Sequence, residues 1–305
     1  MRYRTDRFTY KGQQLVYDTY GEGDRLVVYL HGLLVDSDLN RGVAEVLAAR
    51  GNRVVLLDLL GHGRSDRPEH ATAYRIDAYA DQVIALLDEL GEQRAVLGGM
   101  SLGANVSLFV AAEHPERVRG LVVEMPVLEW AVPSAALLFV PLLLGVHYAR
   151  PLLRRVADAV RRVPPTRWSS IDSLLHAAAL PPEVMAAILH GVLVGPVAPT
   201  LEERESIEVP TLVLGHRRDL IHPFDDASNL SSQMANATMV TAGSPFELRR
   251  RPERLVGIIA DFVDEVWAEV EPDELDDRSV DGEAIGDLPD ELDDWSADVE
   301  AIGDL

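Results

Sequence analysis

The chain contains no cysteine. This absence excludes disulfide bonds, thiolate metal ligands and a cysteine nucleophile. The first twenty residues also lack the apolar stretch of a secretory signal, so a cytoplasmic location is expected. Aromatic residues make up only 6% of the 305 residues, although hydrophobic residues as a whole make up 47%. A chain of this length and apolar content buries a core of its own, and most of it is expected to be globular.

The chain also has few positively charged residues. The chain has 28 Lys and Arg against 50 Asp and Glu, which gives a formal net charge of −22, and Lys11 is its single lysine. A nucleic-acid partner is therefore not expected, because neutralising phosphates requires the opposite sign. This acidic, lysine-poor composition resembles that of proteins from salt-loving archaea, in which surface carboxylates keep a protein hydrated. A GC-rich genome would also favour arginine over lysine.

Much of the negative charge lies in residues 271–305, which form an internal repeat. Asp273–Leu288 (DELDDRSVDGEAIGDL) is followed by Asp290–Leu305 (DELDDWSADVEAIGDL). So many like charges with sparse apolar residues cannot offset the entropy of ordering, which predicts a disordered, solvating tail. The alternative is a short motif that binds a protein partner and gains avidity from its second copy. Residues 1–270 are predicted to form the folded domain.

Short β-branched runs alternate with stretches of helical periodicity through residues 1–270. The runs are interpreted as strands that are buried on both faces, and a hairpin is predicted on either side of Lys11 and Gly12. This alternation predicts an α/β fold with a mostly parallel central sheet flanked by helices, whose ligands bind at the carboxyl ends of the strands. The predicted strands are Arg25–Leu30, Arg53–Leu57, Ala95–Gly99, Leu121–Glu124 and Thr211–Leu214, and the predicted helices are Arg41–Ala49, Ile76–Leu90, Leu102–Glu113 and Arg251–Val270.

A G-x-S-x-G pattern, Gly99–Gly103, stands between a predicted strand and a predicted helix. The glycines relieve crowding at such a sharp turn, and the Ser101 hydroxyl stands clear of the sheet at a helix N-terminus. A backbone N–H after His31-Gly32, together with that of Leu102, is suited to stabilising an oxyanion. The pattern therefore indicates a nucleophilic serine.

Five motifs in this order resemble the α/β-hydrolase fold family over roughly residues 8–265. They are His31–Gly32, Asp58–Ser65 (D-x-x-G-H-G-x-S), Gly99–Gly103, His114–Val118 (HPERV) and Gly215–Asp219 (GHRRD). The resemblance implies a nucleophile at Ser101, an acid at Asp219, and oxyanion donors from the backbone of Leu33 and Leu102. A serine nucleophile implies acyl chemistry rather than the dehalogenase or epoxide-hydrolase reactions.

The position of the general base differs from the pattern of this family. The family order is Ser, Asp, His, and the histidine follows the last strand, predicted here at Thr238–Thr241. Ser244 stands at that position, and no histidine follows His222. A serine cannot accept the proton of Ser101 near neutral pH, so the usual triad is incomplete.

Four interpretations of this gap remain open. His222, three residues after Asp219, is the provisional base. Alternatively, the base comes from an inserted segment, or the chain has lost hydrolysis and kept a binding pocket, or the scaffold carries unrelated chemistry. The histidines of that segment are His147, His176 and His190. His31 and His62 are expected to pack structurally, and since no histidine pair has metal-site spacing, neither a metal nor a cofactor is predicted.

The inserted segment, about residues 125–209, is predicted to form a helical cap over the nucleophile. Ala131–Ala149 is uncharged, contains Pro133 and Pro141, and precedes an arginine-rich stretch. We expect a buried pair of cap helices, with peripheral membrane contact as the alternative, because a membrane span here would split the sheet. An apolar cap favours a small apolar substrate. The sequence thus predicts a serine hydrolase of apolar carboxylic esters or lactones, with a catalytically impaired binding or interaction protein as the alternative.

Overall fold

The computed structural model describes residues 2–217, 219, 221–244, 247–250 and 252–268. Eight strands in these residues form one sheet, in the order β1-β2-β4-β3-β5-β6-β7-β8. β1 and β2 pair antiparallel, as do β2 and β4, and the other neighbouring strands are parallel. The mostly parallel sheet and the hairpin at Lys11 and Gly12 are confirmed. The strands are β1 (Tyr3–Tyr10), β2 (Gln13–Tyr20), β3 (Arg25–Leu30), β4 (Asn52–Asp58), β5 (Ala95–Met100), β6 (Val118–Glu124), β7 (Thr211–His216) and β8 (Ala237–Ala242).

Helices cover both faces of the sheet, as the continuous apolar strands require. Along β3, Val28 packs in a core with the helices on one face, and Val27 packs in a second core on the opposite face. Alternation of side chains along a strand explains this division. The helices are α1 (Arg41–Ala49), α2 (Ile76–Leu90), α3 (Leu102–Glu113), α4 (Ala131–Tyr148), α5 (Arg150–Val160), α6 (Ser169–Ala178), α7 (Pro182–Val194), α8 (Leu201–Glu205), α9 (Phe224–Gln233), α10 (Glu247–Arg250) and α11 (Glu253–Ala268). The first core is built with α2 and α3, and the second with α1 and α11.

Several boundaries differ from those predicted. β6 begins at Val118 rather than Leu121, because Val118 pairs with Ala95 of β5. Arg119 and Gly120 interrupt the apolar run in the sequence, so the predicted strand begins after them. Helix α11 begins at Glu253, after Pro252. The predicted helix end at Val270 and the predicted disordered tail at 271–305 lie outside the described residues.

The segment between β6 and β7 contains α4 to α8, but the predicted buried helix pair at 131–149 is wrong. Residues 131–148 form the single helix α4, of which only Ala131 and Val146 are buried. Pro133 lies in the first turn, where its missing N–H costs no helical hydrogen bond, so Pro141 is the single interior proline. By length and composition alone, α4 could cross a membrane, as could the bent pair α6 and α7 if counted as one span.

Candidate active site

Ser101 lies at the turn between β5 and α3 with φ 54° and ψ −109°, a backbone conformation that costs energy for a residue with a Cβ. Its N–H donates to the carbonyl oxygen of Glu124 on β6. A Cβ on Gly99 would stand 2.5 Å from the backbone of Gly103, and one on Gly103 would stand 2.6 Å from the carbonyl oxygen of Leu30. The two glycines therefore permit the close approach of helix and strand that holds this turn.

His222 bridges Ser101 and Asp219. Its Nε2 lies 2.9 Å from the Ser101 Oγ, and its Nδ1 lies 2.9 Å from Asp219 Oδ2. The other carboxylate oxygen of Asp219 accepts the backbone N–H groups of Ile221 and His222, at 2.8 and 3.1 Å. The side chains of His222 and Asp219 are only 13% and 8% exposed, so this chain of hydrogen bonds is largely shielded from water. Serine, imidazole and carboxylate thus form one hydrogen-bonded line.

The Asp219 carboxylate is held in its ionised form. Burial alone would raise its pKa, but the hydrogen bond and charge interaction with His222, and the two backbone N–H donors, outweigh burial and lower the pKa to about 2. A carboxylate bound to Nδ1 fixes the tautomer in which Nε2 is free to accept a proton from Ser101.

The two residues predicted to donate to an oxyanion line the same cavity as Ser101. Leu33 and Leu102 both line the cavity next to Ser101, and Leu102 is the first residue of α3, where free N–H groups and the helix dipole favour negative charge. The loop that carries Leu33 is fixed by the following residue, because the N–H of Leu34, at φ 66°, donates to His62 Nε2.

His31 and His62 are buried, as expected of structural residues. The Nε2 of His31 accepts the N–H of Leu59, and burial lowers the pKa of both imidazoles, that of His62 to about 3. Each Nε2 accepts a hydrogen bond while Nδ1 faces a carbonyl oxygen, an arrangement that suits the neutral Nδ1–H tautomer. Both rings therefore hold the loops at the edge of the sheet.

An apolar cavity of about 400 Å³ opens above Ser101. Asn105 is a polar residue in its wall, but its amide is engaged: it donates to the carbonyl oxygens of Val127 and Val197 and accepts the N–H of Val127. Asn105 thereby ties two distant parts of the inserted segment to α3. The lining residues are Gly32, Leu33, Val35, Ile76, Met100, Ser101, Leu102, Asn105, Val127, Val132, Ala135, Ala136, Phe139, Val140, Val192, Leu193, Val197, Ile221 and His222.

The histidines of the inserted segment are not among these lining residues. His147 and His190 are exposed, and His176 Nδ1 lies 2.6 Å from Asp36 Oδ2. Asp36, Asp38 and His176 place three ligand-type atoms within 4.8 Å of one another. Sequence spacing could not reveal this cluster, because His176 is 140 residues from Asp36.

Comparisons with known proteins agree with this architecture. A family model described as alpha/beta hydrolase fold matches residues 25–144. The chain is 29% identical to a putative carbamate hydrolase of a Caulobacter species over 205 residues, which are 61% of this chain and 70% of that protein. An enol-lactonase of Burkholderia xenovorans superposes with a TM-score of 0.69 at 21% identity, covering 85% of this chain and 99% of that one.

The chain has the α/β-hydrolase fold. It is also 43% identical to a 2-hydroxymuconate semialdehyde hydrolase of a Pseudomonas species, but over only 74 residues, which are 24% of this chain and 26% of that protein. The matched segment thus spans about a quarter of that relative's length.

This α/β-hydrolase fold carries a buried ionic group next to Ser101 that sequence reasoning missed. Glu124 on β6 is fully buried, and both of its carboxylate oxygens accept from Arg249, at 2.7 and 2.8 Å. Arg249 also donates to Asn40 and contacts the sulfur of Met100, the residue before Ser101. The pKa of Glu124 is lowered, because Arg249 and His216 outweigh the effect of burial. The only signal in the sequence was the position of Glu124 at a strand end.

The region around Ser244 differs from the expected histidine loop. The carbonyl oxygen of Ser244 lies 2.8 Å from His216 Nδ1, and His216 Nε2 lies 3.4 Å from Glu124 Oε1. A histidine thus contacts the loop after β8 from the end of β7. It faces the buried Glu124.

Proposed function

We propose that this protein is a serine hydrolase of apolar carboxylic esters or lactones that works through an acyl-enzyme. The observation that carries the proposal is His222, which reaches Ser101 with one ring nitrogen and Asp219 with the other, each at 2.9 Å. These distances are within the range required for proton transfer between a nucleophile and its base.

In the proposed reaction the Ser101 Oγ attacks the substrate carbonyl carbon while His222 Nε2 accepts the hydroxyl proton. The backbone N–H groups of Leu33 and Leu102 stabilise the resulting oxyanion. Collapse of the tetrahedral intermediate breaks the ester bond, and the proton on His222 passes to the departing alkoxide oxygen. Water, deprotonated by His222, then attacks the acyl carbon and releases the acid, which regenerates Ser101.

The cavity supports an apolar acyl or alkyl group as the substrate portion next to Ser101. Its wall is aliphatic and aromatic apart from Ser101, His222 and the engaged amide of Asn105. A wall of this kind binds hydrocarbon by excluding water and offers little to a sugar.

The first experiment is labelling with a fluorophosphonate probe, which reacts with serines activated by a base. Wild type is compared with Ser101→Ala and His222→Ala, and we expect label on wild type only. Label that persists in His222→Ala would contradict His222 as the base. Absence of label from folded wild type would favour the catalytically impaired binding protein.

The substrate class is tested with p-nitrophenyl esters of increasing acyl length. Ala136 lines the cavity, whereas the neighbouring Leu137 is 79% exposed. Ala136→Phe is expected to lower kcat/KM for long acyl chains more than for acetate, because it fills cavity volume, and Leu137→Phe is the matched control. Equal losses for all chain lengths in Ala136→Phe would contradict acyl binding in this cavity.

A further inference from the structure

Exposed apolar side chains concentrate on one part of the inserted segment. Among the described residues, fourteen of the eighteen large hydrophobic side chains with exposed surface fall within residues 130–174. Leu137 and Tyr148 on α4 are 79% and 80% exposed, and Leu152 on α5 is 61% exposed. α4 contacts α5, and α5 contacts α6, so these side chains belong to one connected group of helices. Apolar surface on this scale marks an interaction site rather than ordinary scatter.

The net charge of the same segment is positive, opposite in sign to that of the whole chain. Residues 130–182 contain six arginines and two acids, Asp158 and Asp172, in a protein whose net charge is −22. Arg154 pairs with Glu183 and Arg161 pairs with Asp158, but the remaining four arginines form no ion pair with a described residue. These four are Arg150, Arg155, Arg162 and Arg167, and all four are exposed. We call the exposed apolar and arginine side chains of residues 130–174 the apolar–arginine surface.

Helix α4 connects this surface to the cavity. Ala135, Ala136 and Phe139 line the cavity above Ser101, while Leu137 and Leu144 are exposed. Val132 and Val140 both line the cavity and are 42% exposed. Since α4 also contacts α7 and precedes the return of the chain to β7, it is built into the folded domain. Its exposed apolar side chains are therefore available to a surface that α4 lies against, not one that it crosses.

We infer that the apolar–arginine surface docks this protein onto an anionic lipid bilayer, with α4 lying in the plane of the headgroups. Exposed Leu, Val, Tyr and Trp side chains insert at the boundary of the acyl region, and the unpaired arginines contact anionic headgroups. A second copy of the chain fits less well, because a twofold contact places the same patch on both subunits and so brings two arginine-rich patches together. Anionic lipid complements both properties at once.

The test is flotation of the full chain with vesicles through a density gradient. Vesicles of phosphatidylcholine alone are compared with vesicles that also contain phosphatidylglycerol. We expect flotation with the anionic vesicles, weaker flotation with the neutral ones, and a partial loss in added salt, which screens the arginines but not the apolar contacts. Ser101→Ala is expected to float like wild type, so the result does not depend on the proposed hydrolase activity.

Two pairs of variants separate the apolar and electrostatic contributions. Leu137→Ser with Leu144→Ser removes apolar area, and Arg155→Glu with Arg162→Glu reverses charge; each pair is expected to lower the partition coefficient about tenfold or more. Val46→Ser on α1 and Arg7→Glu on β1 are the matched controls, since both side chains are exposed elsewhere. Circular dichroism and thermal unfolding verify that all variants fold.

Several results would overturn the inference. One is folded wild type that floats with neither vesicle type, and another is an equal loss in the control variants. A third is a dimer in sedimentation equilibrium without lipid that Leu137→Ser dissociates, combined with no vesicle binding. That outcome would assign the surface to a second copy of this chain.

Discussion

His222 lies three residues after Asp219 on one loop, and the two side chains meet at 2.9 Å. One carboxylate oxygen of Asp219 accepts the backbone N–H groups of the turn that carries His222, and the other oxygen contacts the imidazole ring. Asp219 thus fixes both the backbone and the ring of the residue that reaches Ser101. The proposed acid and base therefore come from a single loop after β7, and the loop after β8 is free of that role.

Removing the proposed base is expected to abolish most ester turnover. His222→Ala leaves Ser101 without a proton acceptor, and kcat is expected to fall about a thousandfold or more. The measurement is steady-state hydrolysis of a p-nitrophenyl ester. His190→Ala, which changes an exposed histidine, is the control and is expected to retain wild-type turnover. Equal activity in both variants would contradict the proposed mechanism.

Replacing the proposed acid is expected to reduce kcat strongly while leaving KM nearly unchanged. Asp219→Asn places an amide where the carboxylate orients Nδ1 and stabilises the imidazolium, and a loss of about 10⁴-fold is expected. A loss confined to KM would indicate that Asp219 acts on substrate binding instead.

The lowered pKa of Asp219 is also expected to make the free energy of unfolding depend on pH. The pKa of its carboxyl group is lowered in the folded protein from 3.8 to about 2, so its ionised form contributes on the order of 2 kcal/mol to the free energy of unfolding above pH 3.8. That contribution is lost as the pH falls through the folded pKa. Chemical denaturation of wild type and Asp219→Asn is therefore expected to show a stability difference that shrinks in acid. A difference that grows in acid would contradict the assigned direction.

Short-range sequence patterns predicted the strands and the turn whose formation depends on neighbouring residues. The β-branched runs identified β3 and β7, and the glycine spacing placed Ser101 on a strand-to-helix turn. The arrangement of Glu124 and Arg249 could not be predicted, because 125 residues separate them and only the folded sheet brings them together. The exposure of α4 was predicted wrongly for a related reason: an uncharged helix has no polar face, so periodicity cannot tell burial from surface.

The glycines around Ser101 are expected to be intolerant of a methyl group. Gly103→Ala would place a Cβ 2.6 Å from the carbonyl oxygen of Leu30, and overpacking of this kind costs about 1–3 kcal/mol. Gly257→Ala on α11 is the matched control, since its added Cβ has no neighbour within 4 Å beyond the backbone of its own helix, and it is expected to stabilise the helix by up to about 1 kcal/mol. Thermal and urea unfolding of both variants provide the measurement. Equal stability changes would contradict the packing argument.

Breaking the buried ion pair is expected to destabilise the fold far more than breaking an exposed one. Arg249→Leu leaves the fully buried Glu124 carboxylate without its main partner, a change that costs about 3–5 kcal/mol. Arg4→Leu removes an arginine whose side chain is 73% exposed in its pair with Asp6, and is expected to leave the free energy of unfolding nearly unchanged. Urea unfolding measures both. Adding Glu124→Gln to Arg249→Leu should recover part of the loss, because it removes the uncompensated charge.

His216 is expected to stabilise the folded protein most in its protonated form. Burial lowers its pKa, but the contact with Glu124 and the Ser244 carbonyl oxygen raise it more, and the net result is a pKa above 6.5. The stabilisation is then fully present below pH 6.5 and is lost as the pH rises through the folded pKa. His216→Gln keeps a hydrogen-bonding side chain but cannot be charged, so its free energy of unfolding should fall below that of wild type mainly at low pH. The difference is measured by chemical denaturation across this range, and a gap that stays constant or widens with rising pH would show that the neutral imidazole is the stabilising form.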